Sequence, residues 1–312
     1  MSRTDPRVLI AVPSYRRPDR LARLLAALTE QRDDVSPTLV EVVVIDNDPE
    51  GSAAEPATAA QALYRLEPRP GLAAVRNRAL DEAIAHDVDA VVFIDDDEVP
   101  ASGWLRALLA PWSSGTAELV SGRVESEFDV TPDPWIVAGG FFRRVGFSAG
   151  ERMPAAPTNN LLIDVGTLRT TGIRFDEEFG RTGGEDIHFT SALARRGARI
   201  VAAPDALVTD HVPTERATPS WVLRRAFRVG TTTARGDIHL TDGRSRRSVR
   251  RARWLIVGLA RSAAGAGRWL IGVVTRSTTH RARGARLVAR GAGMAAGGVG
   301  FRYLEYRPRT GS

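Results

Sequence analysis

Apolar residues in the first part of the chain fall into two alternating patterns. Val8 to Pro13 (VLIAVP), the segment EVVVIDND from Glu41 to Asp48, and Val91 to Ile94 (VVFI) are runs with little polar alternation. That is how strands read when both faces of a mainly parallel sheet are covered. Between them, Leu21, Leu24, Leu25 and Leu28 repeat at the spacing of one helical face after Pro18, and Ala73 to His86 reads as another helix. Strand and helix in alternation predict an α/β fold: a doubly wound, mainly parallel sheet with right-handed crossovers and helices on both faces.

The middle of the chain is less regular. PDPWIVAGGFFRRVGFSAGERMPAAPTNN is rich in Gly, Pro and aromatic residues, which suits loops and short strands around a pocket. TGGEDIHF then opens an amphipathic helix, IVAAPDALV follows as a strand, and TDHVP carries a histidine. From about Arg244 the chain becomes an arginine-rich helical tail. Its apolar runs WLIVGLA (Trp254 to Ala260) and WLIGVV (Trp269 to Val274) are each too short for a membrane span, which takes roughly twenty apolar residues. Two readings stay open: a basic amphipathic helix on an anionic membrane surface, or a tail packed on the preceding domain with a solvated Arg face.

Composition adds exclusions. A hydrophobic fraction of 43% in 312 residues predicts a folded chain with a substantial core. The absence of cysteine excludes disulfides, thiolate metal sites and cysteine nucleophiles, and fits a reducing cytoplasm. The opening MSRTDPRVLIAVPSYRR enters a strand pattern directly, so a signal peptide is not expected. The net charge of +6 is uneven: acids concentrate before about residue 215, arginines crowd the tail, and no lysine occurs.

The acids matter most where VVFI runs into Asp95, Asp96, Asp97 and Glu98. Adjacent carboxylates in a partly buried place push one another toward the neutral form unless a cation compensates. The carboxyl end of a strand is also where open α/β sheets place ligands. A solvated acidic turn is the alternative.

PSYRRP after the first strand, IDND after the second, FIDDDE after a central strand and GGED opening a later helix together resemble the inverting glycosyltransferases of family two, which have the GT-A fold. The resemblance covers about residues 7 to 230, and the segment GGEDIHF to RVG looks particularly like bacterial exopolysaccharide glucosyltransferases of the succinoglycan-assembly type. It implies a GT-A catalytic domain over residues 1–240, with a nucleotide-binding half (1–100) and an acceptor-binding half (101–240), followed by the tail at 241–312.

The resemblance also implies roles. Asp95 and Asp97 match the D-x-D pair that holds Mg²⁺ or Mn²⁺ against the donor diphosphate, with Asp96 between them; hard cations take such oxygen ligands. Asp46 would accept the imide hydrogen of uracil, which a carboxylate can do and which cytosine does not offer. Pro13, Tyr15 and Arg17 match the first nucleotide-contacting loop, and Arg76 would meet ribose or diphosphate. Asp186 takes the position of the base that deprotonates the acceptor hydroxyl. Glu185 would orient the acceptor or the loop, and Gly183 and Gly184 would let the chain approach it. His211 would complete the metal shell, and Asn159 and Asn160 would contact donor sugar or acceptor. Arg225 and Arg228 resemble by spacing an element of processive synthases, but Val229 stands where that element has tryptophan, which favours one sugar added per acceptor.

The implied activity is transfer of one hexose, glucose by resemblance, from a UDP-sugar to a lipid-linked saccharide at the inner membrane face. A sugar nucleotidyltransferase is disfavoured, because PSYRRPDR lacks a phosphate-loop glycine. Nucleic acid is not an expected partner, because the acid-rich half would repel it.

Overall fold

A computed structural model describes residues 6–36, 38–144, 146–180 and 183–302. The first part alternates as the apolar pattern requires: β1 (Arg7–Ser14), α1 (Pro18–Asp33), β2 (Leu39–Asp46), α2 (Ala54–Ala59), β3 (Leu63–Leu66), α3 (Leu72–Ala85) and β4 (Ala90–Ile94). There follow β5 (Glu98–Pro100), α4 (Trp104–Ser113), β6 (Leu119–Phe128), α5 (Pro134–Gly139), β7 (Asn160–Asp164), α6 (Val165–Thr171), α7 (Glu177–Gly180), α8 (Glu185–Arg195) and β8 (Ile200–Val212). The strands form one mixed sheet in the order β3-β2-β1-β4-β7-β6-β8-β5. It is parallel from β3 to β4; β7 then runs antiparallel to β4, and β5 antiparallel to β8.

β4 lacks alternation because its two faces feed two separate cores. Val92 and Ile94 join Leu21, Leu24 and Trp104, whereas Val91 and Phe93 join Leu80, Phe175 and Phe189. Helices cover both faces, as an unalternating strand requires. β2 ends at Asp46, two residues before the expected end, because the Asp46 carboxylate accepts hydrogen bonds from the backbone of Asp48 (2.9 Å) and Ala53 (2.8 Å) and turns the chain there.

The chain divides into two compact units, one of Met1–Glu125, Val145–Gly180 and Glu185–Asp210, the other of Ser126–Arg144, Arg181–Gly184 and His211–Ser312. The arginine-rich tail falls in the second of these units. It shares its unit with α5 and with α9 (Pro219–His239), which packs against α11 (Thr278–Gly298). The two short apolar runs of the tail lie on one helix, α10 (Arg244–Val274). Among the described residues no helix is long and apolar enough to cross a membrane.

Glycines set the helix spacing in this second unit. A Cβ on Gly293 would lie 1.9 Å from the Phe227 carbonyl oxygen, so α11 and α9 touch backbone to backbone. A Cβ on Gly267 of α10 would meet nothing within 4 Å. Gly293→Ala is expected to lower stability by about 1–3 kcal/mol through overpacking, while Gly267→Ala raises it by about 1 kcal/mol through helix propensity. Thermal melts of the two variants check this pair; equal shifts would contradict the packing.

Candidate active site

β1 and β4 are parallel neighbours, so the loops that follow them meet at the carboxyl edge of the sheet. The Ser14 hydroxyl donates to Asp96 (3.0 Å), as does the Tyr15 backbone N–H (3.3 Å). Arg17 Nη1 donates to Asp96 and to Asp97, at 2.8 Å each, and Arg20 lies 3.9 Å from Asp97. Asp96 is therefore a buried rivet between the two loops and not an open ligand. Arg17 thus joins the loop after β1 to the acids after β4. Pro13 is buried within β1, whereas Tyr15 is exposed, with the Arg16 guanidinium 5.4 Å from its ring centre.

A second connection runs from these acids to α8. Buried Arg76, on α3, donates from Nη1 to Glu185 (2.5 Å) and places Nη2 3.8 Å from Asp95. Its guanidinium also sits 5.9 Å from the Phe175 ring centre. One arginine, 109 residues from Glu185 in the sequence, thus ties the first turn of α8 to the end of β4. Glu185 is buried on Arg76, so it positions that arginine and does not face an acceptor. Asp186 is partly exposed at the next position, its Oδ1 accepting from the Ile187 backbone. Among the described residues no arginine pairs with the Asp186 carboxylate.

Two acids that the motif reading did not assign complete the cluster. The Glu98 carboxylate accepts from the Asp95 backbone N–H (3.2 Å) and from the Asn159 amide (2.5 Å), and β5–β8 register sets Asp210 opposite Glu98. Asn159 thus lies at the acids, its amide held by Glu98. Burial pushes Asp95 up to about 7, with Arg76 opposing and Asp97, Asp96 and Asp210 reinforcing the rise. Burial, Asp95 and Asp210 together drive Glu98 well above the usual carboxylate range. Asp96 is raised by burial against the pull of Arg17.

A carboxyl group with a raised folded-state pKa binds more protons folded than unfolded, so stability falls as pH rises through the interval between the two values. For Asp95 that interval runs from the ordinary 3.8 to about 7. The ion-free protein should accordingly melt lower at pH 7.5 than at pH 5.5, and Asp95→Asn should flatten the profile. Thermal melts in chelator at the two pH values check this, and an unchanged slope in the variant would contradict it.

Other expected residues are engaged differently. Asp46 is fully buried, and both its oxygens are occupied, by Asp48 N, Ala53 N and the Tyr64 hydroxyl (3.3 Å). It holds the turn after β2 and offers no free edge to a base. Asn160 is buried: its amide nitrogen donates to the carbonyls of Arg123 (3.0 Å) and Ala206 (2.8 Å), and its oxygen accepts from Trp104 Nε1 (2.9 Å). It is a strut between strands, not a sugar contact. His211 pairs with Asp129 in the second unit, and it is the neighbouring Asp210 that acts on the acidic cluster. Gly183 and Gly184 have φ of +74° and +88°, and a Cβ on Gly184 would lie 2.9 Å from Thr232. Glycine there serves the backbone conformation and this packing.

The cluster brings Asp95, Asp96, Asp97, Glu98, Glu185 and Asp210 together against Arg17, Arg20 and Arg76. The excess of negative charge and an all-oxygen donor set at Asp95 and Asp97 fit a hard divalent cation.

The Glycosyl transferase family 2 model matches residues 9–170. The succinoglycan biosynthesis protein ExoM of Rhizobium meliloti (strain 1021) is 32% identical over 232 residues, covering 72% of this chain and 74% of ExoM. The pre-mycofactocin glycosyltransferase of Mycobacterium tuberculosis (strain ATCC 25618 / H37Rv) is 32% identical over 168 residues, covering 52% of this chain and 34% of the relative. Among solved structures, the mannosyltransferase PcManGT from Pyrobaculum calidifontis, in complex with GDP-Man and Mn²⁺, aligns with a TM-score of 0.57 at 20% identity, over 92% of this chain and 86% of that one. S. aureus TarS 1–349 in complex with UDP aligns with a TM-score of 0.50 at 19% identity, over 93% and 90% of the two chains. At these identities the solved structures establish the likeness of fold.

Proposed function

Because the chain belongs to glycosyl transferase family 2, we propose that it transfers one hexose, glucose, from a UDP-sugar to a lipid-linked saccharide, with inversion, in the assembly of an exopolysaccharide. Family membership makes it a glycosyltransferase and sets aside the nucleotidyltransferase reading. The saccharide pathway is suggested by the relative whose name specifies succinoglycan biosynthesis. The observation that carries the mechanistic reading is Arg76, which joins the start of α8 to the acids at the end of β4.

Inverting transfer needs one base on the face of the sugar opposite the leaving group. With Glu185 spent on Arg76, Asp186 is the carboxylate of the first turn of α8 left to take the acceptor proton. Arg76 holds that turn at the donor side. A divalent cation, Mg²⁺ or Mn²⁺, would be held by Asp95 and Asp97, where it supplies positive charge to the leaving diphosphate. Arg17 holds Asp97 in the present arrangement and is poised to turn to a phosphate, which a guanidinium binds well. Glu98, Asp210 and Asn159 shape the floor of the cluster beneath Asp95.

The test is incubation of the enzyme with radiolabelled UDP-glucose and a lipid extract from exopolysaccharide-producing cells. Label should enter a chloroform-soluble saccharide, the new linkage should be β from the α-configured donor, and chelator should abolish transfer. Label released only as free glucose, or a retained anomeric configuration, would overturn the reading.

A further inference from the structure

We propose that the outer face of α10 docks on an anionic phospholipid membrane, with the helix lying in the plane of the surface. The inner face of α10 is fully used. A Cβ on Gly258 would lie 2.4 Å from Ala295 N, and one on Gly265 would lie 2.7 Å from Val288 N, so α10 is seated backbone to backbone on α11.

Among the described residues the opposite face has no cover. Ile256, Leu259, Leu270 and Val274 are 65%, 58%, 57% and 83% exposed. Spacings of three, four and seven residues, with Ala263 between, set them in one row along the helix. The row is about 27 Å long at 1.5 Å per residue. Single exposed apolar side chains are ordinary, but a continuous row of this length marks an interaction surface.

Charge selects the occupant. Residues 244–302 contain 14 arginines and neither Asp nor Glu. Arg261 and Arg268 lie on the side of α10 turned to α11, where Arg261 Nη1 donates to Met294 Sδ (3.7 Å), and the arginines that flank the apolar row are those of its first half, exposed Arg246 and Arg253 on one side and Arg251 on the other. A second copy of this chain would bring the same arginines against these, whereas anionic headgroups neutralise them. α10 does not qualify as a span, so an apolar row bordered by arginine places it at the headgroup and acyl boundary. Trp269, 43% exposed, suits the same depth. Because α11 holds the inner face, the apolar row cannot turn inward without breaking the helix pair.

The test uses the full chain with vesicles of phosphatidylcholine alone and of phosphatidylcholine with phosphatidylglycerol. Sedimentation should recover the protein with the anionic vesicles only, less of it at high salt, as screening requires. Its tryptophan emission should shift to the blue, and Trp269→Phe should remove most of that shift. Leu259→Glu with Leu270→Glu should weaken vesicle binding at least tenfold while melting as the parent does, since both side chains are exposed. Arg246→Gln with Arg253→Gln should weaken it less. Asp186→Asn should bind vesicles as the parent does, which separates this surface from the transfer reaction. No vesicle binding, binding unchanged in the double glutamate variant, or a stable dimer that the same variant dissociates would each overturn the proposal.

Discussion

Asp186→Asn binds UDP-glucose as tightly as the parent and transfers glucose about 100- to 10,000-fold more slowly, the range a positioned general base contributes. Magnitude separates this from the bland alternative. A carboxylate that merely offsets the dipole of α8 contributes about 0.3–1 kcal/mol, and its loss would slow transfer severalfold at most. The variant should melt close to the parent, because among the described residues the Asp186 side chain accepts only from the adjacent Ile187 backbone. Single-turnover rates with donor binding measured separately check the claim. A loss below tenfold would remove Asp186 as the base, and a parallel loss of donor binding would make it part of the donor site.

Arg76→Gln is expected to have the largest effect on stability. It leaves Glu185 buried without its cation, a change that costs about 3–5 kcal/mol when one partner of a buried pair is removed. Adding Glu185→Gln should recover much of that loss, since two neutral amides carry no buried charge. Transfer should stay impaired in the double variant, because neither amide can hold the first turn of α8 against Asp95 as the ion pair does. Denaturant melts and transfer rates of the two single variants and the double variant measure the coupling directly. Additive losses of stability would show that the two side chains do not act as a pair.

Much of the fold was legible because it rests on local rules. A strand feeding two cores has no alternation, and β4 showed this in five residues, all buried. The acids at its end were visible as like charge that no turn requires. What the chain concealed depends on distant contacts. Asp46 looked like an open acceptor at a strand end, yet Ala53 and Tyr64, seven and eighteen residues on, close over it. The choice between Asp210 and His211 is made by the register of β5 on β8, which adjacent residues in TDHVP cannot reveal. The ion pair of Arg76 with Glu185 spans 109 residues and leaves no pattern. The tail misled differently. Its apolar runs looked short and separate on paper, whereas in the structure both lie on α10, whose glycines are the contacts that let it pack along α11 as a long helix. Asn160 was misread because TNN resembles a polar loop, although its second asparagine opens the buried strand β7.

The central claim is that the carboxyl edge of β1 and β4 is a metal-assisted site for a uridine diphosphate sugar. Calorimetry with UDP, and with GDP, CMP and RNA as controls, each with Mn²⁺ and with chelator, tests it most directly. The account predicts binding that is selective for UDP, requires the metal, and is lost in Asp95→Asn and Asp97→Asn. Equal binding of GDP, binding that survives chelation, or tighter salt-sensitive binding of RNA would contradict it.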